Sequence, residues 1–293
     1  AGSHYLADNS PYRNVGATNL SASVIAYLKR TTTYPPLLLT NVITADTTLS
    51  PQAQRDTDIP DLGYHYSSLD YVANARVVTN ILTLTNGVAV GTYGNLNGYG
   101  LSISGSGKLI SQGAPNSLNY IVRYNTVQEQ STTNWSSSSV GSSVTTASDG
   151  AVAQFRFTAF SLPAGNGYHF NGAFAGNFPW FRDCQFSGGN LAVTPGSIAL
   201  TNCLCDRVYL DLEDTTDSSA YYLYNNLFRG GTLCYGIKGS GFGVAYDNLF
   251  DQTTITEKNG SDTFTHDYNG YVTNKNRLSP NGAHDKILTN SPT

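Results

Sequence analysis

Phe181-Arg-Asp-Cys-Gln-Phe186, Leu200-Thr-Asn-Cys-Leu-Cys205, Leu223-Tyr-Asn-Asn-Leu-Phe228 and Ala245-Tyr-Asp-Asn-Leu-Phe250 can be laid over one another, with Phe155-Arg-Phe-Thr-Ala-Phe160 ahead of them. Their last residues fall at 160, 186, 205, 228 and 250, in steps of 26, 19, 23 and 22. A period of that size, filled with strand-forming residues, marks a β-solenoid, where each coil buries its inner face only against its neighbours. Phe160, Phe186, Cys205, Phe228 and Phe250 are then expected to form an internal stack, one strand spacing of about 4.8 Å apart. Cys184, Cys203, Asn226 and Asn248 lie two residues earlier, and Asp183, Asn202, Asn225 and Asp247 one before those. Asn and Asp tolerate left-handed backbone and bond their own main chain, so a stacked Asn/Asp corner is expected.

Outside this repeat the composition narrows the class. Only 12% of the 293 residues are charged, about half the usual quarter, which argues against a Lys/Glu-rich helical protein. The 16 Lys and Arg are spread along a chain of net charge −4 without a cluster, leaving no electrostatic footprint for nucleic acid. No stretch approaches the 18 or so apolar residues that a membrane-inserted helix needs. A surplus of Tyr, Asn, Ser, Thr and Gly suits β-architecture that is secreted, extracellular or on the cell surface. The start at Ala1-Gly-Ser-His4, without Met, reads as a mature product or a window from a longer chain.

Helical periodicity is confined to Asn19–Arg30, with capping candidates Asn19 and Ser21 and an apolar stripe of Val24, Ile25 and Leu28. Short β-runs bounded by Gly, Asn, Asp and Ser begin at Tyr71. The expected organisation is an irregular closing or capping segment over 1–70 with one short helix at about 19–30. A parallel β-helix body over 71–293 follows, carrying a Ser/Thr-rich excursion at about 129–150.

The repeat resembles the right-handed parallel β-helix proteins, the pectate-lyase-like superfamily that includes many bacterial extracellular surface proteins. Asn9-Ser-Pro-Tyr-Arg-Asn-Val-Gly16 and Arg55-Asp-Thr-Asp-Ile-Pro-Asp-Leu-Gly-Tyr-His-Tyr66 are similar to the segment that closes such helices. The resemblance implies an all-β, right-handed parallel β-helix. It also sets closure ahead of the coils, so residues 1–66 either finish a neighbouring module or pack on their own helix.

Several constellations qualify as sites. Asp206, Asp211, Glu213, Asp214 and Asp217 form the densest acidic run, with Arg207, Arg229 and Lys238 nearby. Asp211, Glu213, Asp214 and Asp217 have the oxygen chemistry of a calcium site, the only cofactor considered, set against a plain solvated loop. Lyases of the resembled superfamily bind calcium on the β-helix side, but no motif residue carries over. Glycoside hydrolysis needs opposed carboxylates, for which Asp183, Asp206 and Asp211 are the candidates, with Asp247 and Asp267 as another spaced pair. Tyr221, Tyr222, Tyr224, Tyr235 and Tyr246 lie on or beside the repeating strands and either stack on sugars or ladder with one another. Asn19, Asn134 and Asn259 head glycosylation triplets. Cys184 and Cys203 are placed for a disulfide or for stacked thiols.

The leading expectation is an extracellular structural or surface module, assembling head to tail into a fibre with itself or a neighbouring module, or acting as an adhesin. A polysaccharide lyase or hydrolase and a non-catalytic glycan-binding domain are the alternatives, with polysaccharide as partner.

Overall fold

The computed structural model describes residues 4–93, 98–124, 141–162, 167–172, 174–213, 218–258, 264–273 and 276–289. Its strands form three long parallel sheets of eleven, nine and eight strands, plus a two-stranded ribbon. Strands three apart in chain order are neighbours in each long sheet through almost its whole length, which is the signature of a chain wound through three faces in turn. The architecture is a parallel β-solenoid with, among the described residues, a single short helix, Ala22–Leu28.

Register follows the repeat. Phe160, Phe186, Cys205, Phe228 and Phe250 pair successively across the eleven-stranded sheet, and the column continues to Tyr271. Phe155, Phe181, Leu200, Leu223 and Ala245 make a parallel column in the nine-stranded sheet. Phe155 stacks on Phe181 with ring centroids 4.9 Å apart, and Phe160 on Phe186 at 4.8 Å. These distances equal the strand spacing, so each ring lies flat on its equivalent one coil away.

The corners follow from the same positions. Asp183, Asn202, Asn225 and Asp247 have φ of 55°, 54°, 54° and 59°, the left-handed region that Asn and Asp enter most readily. Beside them Asn226, Asn248 and Asn269 form a buried ladder. The Asn248 Nδ2 group donates to the Leu223 carbonyl at 2.8 Å and to Asn269 Oδ1 at 3.1 Å. The Asp285 carboxylate ends the ladder by accepting from the Asn269 amide at 2.9 Å. Cys184 and Cys203 occupy the same column further up, where their thiols donate to the carbonyls of Arg182 and Thr201 at 3.3 and 3.4 Å. All four cysteines are free and buried, so the bridge option between Cys184 and Cys203 is not taken.

The first coil starts well before residue 71. Leu37–Leu38 pairs with Tyr71–Ala73, Ile43 bridges to Val78, and Thr47–Leu49 pairs with Ile81–Leu84, one contact in each long sheet. Residues 4–34 and 50–68 form a side unit instead. There the two closing-type stretches meet: the Gly16 amide donates to the Pro60 carbonyl at 2.7 Å and the Leu62 amide to that of Tyr12 at 2.8 Å. A Cβ at Gly16 would lie 2.5 Å from the Pro60 oxygen, which explains the glycine. Asp61 accepts from Arg13 Nη1 at 2.9 Å, the Thr33 hydroxyl at 2.5 Å and the Asn14 amide at 2.8 Å. Asp56 accepts from His65 Nε2 at 2.6 Å. The unit sits against the outer face of the eleven-stranded sheet, where Leu69, Val72, Ala89, Val122 and Tyr124 form a second apolar cluster. It therefore packs along the side of its own helix. The short helix has Ser21 as its N-cap and buries none of its residues fully.

Candidate functional site

Period-two alternation assigns the outer face of the nine-stranded sheet. If Phe181, Leu200, Leu223 and Ala245 point inward, then Trp180, Ala199, Tyr222 and Val244 point out in one row, and Arg182, Thr201, Tyr224 and Tyr246 in the next. Phe178 and Phe242 extend the first row along the strands and are 48% and 45% exposed, unusual for phenylalanine in a folded chain. The rings touch: Phe178 to Tyr222 at 5.8 Å, Tyr222 to Phe242 at 5.5 Å, and Tyr224 to Tyr246 stacked at 6.5 Å. Four adjacent strands at about 4.8 Å give a platform roughly 14 Å across. Burial, followed by the neighbouring Tyr222 and Tyr246 side chains, raises the Tyr224 pKa, so the Tyr224 phenol stays a neutral hydrogen-bonding group.

Charged groups border the platform. Arg156 and Arg182, both half exposed, flank Asp183 at 3.5 and 3.6 Å, and Asn202 Nδ2 donates to its other oxygen at 2.6 Å. Asp183 is thus a corner residue neutralised in place. Asp206 lies 3.0 Å from Arg207 and 3.9 Å from Arg229, on a different corner.

Tyr221 and Tyr235 leave the set of candidate sugar stackers. Tyr221 shares parity with Leu223 and Tyr235 with Leu233, so both side chains enter the core and are fully buried. Tyr222, Tyr224 and Tyr246 remain, on one face. Phe178, Trp180 and Phe242 complete it, and the alternation around Phe181 in Phe178-Pro-Trp-Phe-Arg182 carried the signal for two of them.

The acidic run divides. Asp211 and Glu213 project from the eight-stranded sheet, and Lys258 Nζ lies 3.8 and 3.2 Å from their oxygens. Burial raises the Asp211 pKa, against the pull of the nearby Lys258. Burial pulls the Lys258 pKa down, but the Glu213 hydrogen bond and the Asp211 charge outweigh it and raise it, so the ammonium stays protonated. An ammonium thus stands between the two carboxylates proposed for calcium, and among the described residues no group of three His, Cys, Asp or Glu is arranged for a metal. Asp214 and Asp217 lie outside the described residues, as do Asn134, Asn259 and most of the Ser/Thr-rich excursion. Asn19 is described and exposed, two residues before the helix cap. His169 is buried against the Gly188 carbonyl at 2.7 Å, and burial lowers its pKa to about 4, leaving it neutral. No described helix is long and apolar enough to cross a membrane.

Comparison of this chain with protein-family models, with curated proteins and with solved structures finds no match.

Proposed function

We propose that the chain is an extracellular surface module of the adhesin type, a β-helix that holds glycans without turning them over. The observation that carries this reading is the contiguous ring surface of half-exposed Phe178 and Phe242 with the partly exposed Tyr222 between them, beside Tyr224 and Tyr246. Apolar rings on a flat, rigid sheet offer stacking area to the C–H faces of sugars with little entropy to lose, and Tyr hydroxyls, Arg156 and Arg182 supply edge hydrogen bonds. The weakly charged, Asn/Ser/Thr/Tyr-rich composition supports a place outside the cell. Asp183, Asp206 and Asp211, the carboxylates offered for catalysis, each sit within ion-pair distance of a cation.

Binding to an array of neutral oligosaccharides tests this. Tyr222→Ala combined with Phe242→Ala is expected to weaken binding at least about tenfold, with the circular dichroism unchanged. Binding that survives the double variant, or no binding anywhere on the array, overturns the reading. Release of reducing or unsaturated sugar that stops in Asp211→Asn would replace it with a lyase or hydrolase.

A second reading, end-to-end assembly into a fibre, draws on the first coil. A cavity of about 370 Å³ opens there, lined by Leu38–Ala45, Thr47 and Leu49, and Leu37, Leu38 and Val42 are about half exposed. An unpaired strand edge with apolar neighbours is a surface for another sheet end. Sedimentation that stays strictly monomeric as concentration rises would remove this reading.

A further inference from the structure

The side unit leaves a groove of about 450 Å³ where it meets the eleven-stranded sheet, away from the aromatic face. Ala89 and Val122 line it from the sheet, Ser67 from the ribbon, Ser68 and Leu69 from the link between the two, Tyr27 from the helix and Arg30 from just past its C-cap. Arg55 reaches in from the loop opposite, and Tyr120, 44% exposed, stands at the rim.

Two of only 16 basic residues, in a chain of net charge −4, therefore face one groove. Arg55 is held in place there, its Nη1 donating to the Ala53 carbonyl beside the buried Asp70 carboxylate, which leaves Nη2 and Nε of its fork for a ligand. Asp70, 3.7 Å from Arg55, already accepts from the amides of Gln52, Ala53 and Ala89, each at 2.8 Å. Arg30 is exposed and makes no ion pair with the described residues.

We propose that this groove binds an acidic saccharide, its carboxylate or sulfate held by Arg30 and Arg55 and its ring lying between Tyr27 and Tyr120. A guanidinium fork matches a planar or tetrahedral oxyanion in geometry as well as charge. The apolar floor and the two phenol rings suit a sugar's C–H face, while the Ser68 hydroxyl, donating to the Arg30 carbonyl at 3.1 Å, can still accept a hydrogen bond from a sugar hydroxyl. An acidic peptide is the competing occupant, and a polyglutamate probe separates it from a saccharide.

The test is calorimetric titration of the full chain with three probes: a mannuronate trisaccharide, its methyl ester, and a sulfated trisaccharide. The uronate is expected to bind and its neutral ester at least about tenfold more weakly, with affinity falling as salt rises. The sulfated probe tells whether the oxyanion taken is carboxylate only or both. Arg30→Ala, an exposed change, is expected to reduce uronate binding about tenfold while the melting temperature stays put. Arg55→Lys keeps the charge near Asp70 and is expected to weaken binding by loss of the fork alone. The Tyr222→Ala, Phe242→Ala double variant is expected to bind the uronate normally, which separates this groove from the aromatic platform. Equal binding of acid and ester, indifference to Arg30→Ala, or equal binding of a polyglutamate peptide overturns the proposal.

Discussion

Between Phe155 and Tyr271 most buried rings meet another ring one coil away, whereas between Arg13 and His65 two buried carboxylates each meet a basic side chain, Asp61 with Arg13 and Asp56 with His65. The coils spread their stabilisation over many near-identical contacts, so a single loss is local and its neighbours persist. The side unit concentrates its own on Asp61 and Asp56. Arg13 spans that unit, with Nη2 donating to the Leu6 carbonyl at 2.7 Å and its guanidinium 3.5 Å from the Tyr34 ring centre. Removing Asp61 leaves the buried Arg13 guanidinium without a counter-ion.

Two variants of similar size separate these modes. Asp61→Ala strands Arg13, whose side chain is 8% exposed, and is expected to destabilise the side unit by about 3–5 kcal/mol. Phe186→Ala opens a cavity in the internal stack and is expected to remove about 3–5 kcal/mol from the coils. Amide hydrogen exchange reads where each loss falls: Thr31–Thr32 and Tyr66–Ser67 for the first, Gln185–Ser187 and its neighbours for the second. If Asp61→Ala lowers protection in Gln185–Ser187 as much as in the ribbon, the two regions are one cooperative unit and the contrast fails.

The contrast also explains what the sequence disclosed. Inward residues recur at fixed phase from Phe155 to Phe250, so spacing alone yields the stack, the left-handed corners and the parallel sheets. The start of the coils at Leu37 left no such trace, because its strands are two or three residues long and Leu37 and Leu38 are exposed. Both closing-type stretches were visible, but their union through Gly16 and Pro60 is tertiary, as is the pairing of Lys258 with Glu213 from two coils away. At the site, treating adjacent tyrosines alike ignored the period of two that sends Tyr221 inward and Tyr222 outward.

The Asn ladder sharpens the comparison by placing polar groups inside the repeat. Asn248→Ala removes the acceptor for the Asn226 amide, at 3.0 Å, and the donor to Leu223. The expected loss is about 1–3 kcal/mol, since buried partners are left unsatisfied. It is smaller than at Asp61 because the orphaned groups are neutral. Urea denaturation measures it, with the slope unchanged if the coils still unfold together. A loss as large as that of Asp61→Ala would mean that the ladder, rather than the rings, holds the coils.

The smallest effect lies at the last strand, where a charged clasp of the side unit's kind closes the repeat in the open. His284 Nδ1 donates to Asp267 Oδ2 at 2.6 Å, its amide donates to Oδ1 at 2.7 Å, and its ring stacks on Tyr268 at 4.5 Å. The His284 hydrogen bond is the main cause that lowers the Asp267 pKa from 3.8 to about 2. A carboxylate whose folded pKa is depressed contributes stability above its unfolded value and loses it as pH falls through the folded one. The clasp is therefore complete above about pH 4 and released as pH approaches 2, while Asp61 and Phe186 set the global stability. Ring-proton shifts of His284 should lose their stacking contribution over that interval, together with protection in Lys286–Leu288. In Asp267→Asn this acid step should vanish. A His284 ring that leaves Tyr268 at the same pH in both proteins would show that the clasp does not hold the strand.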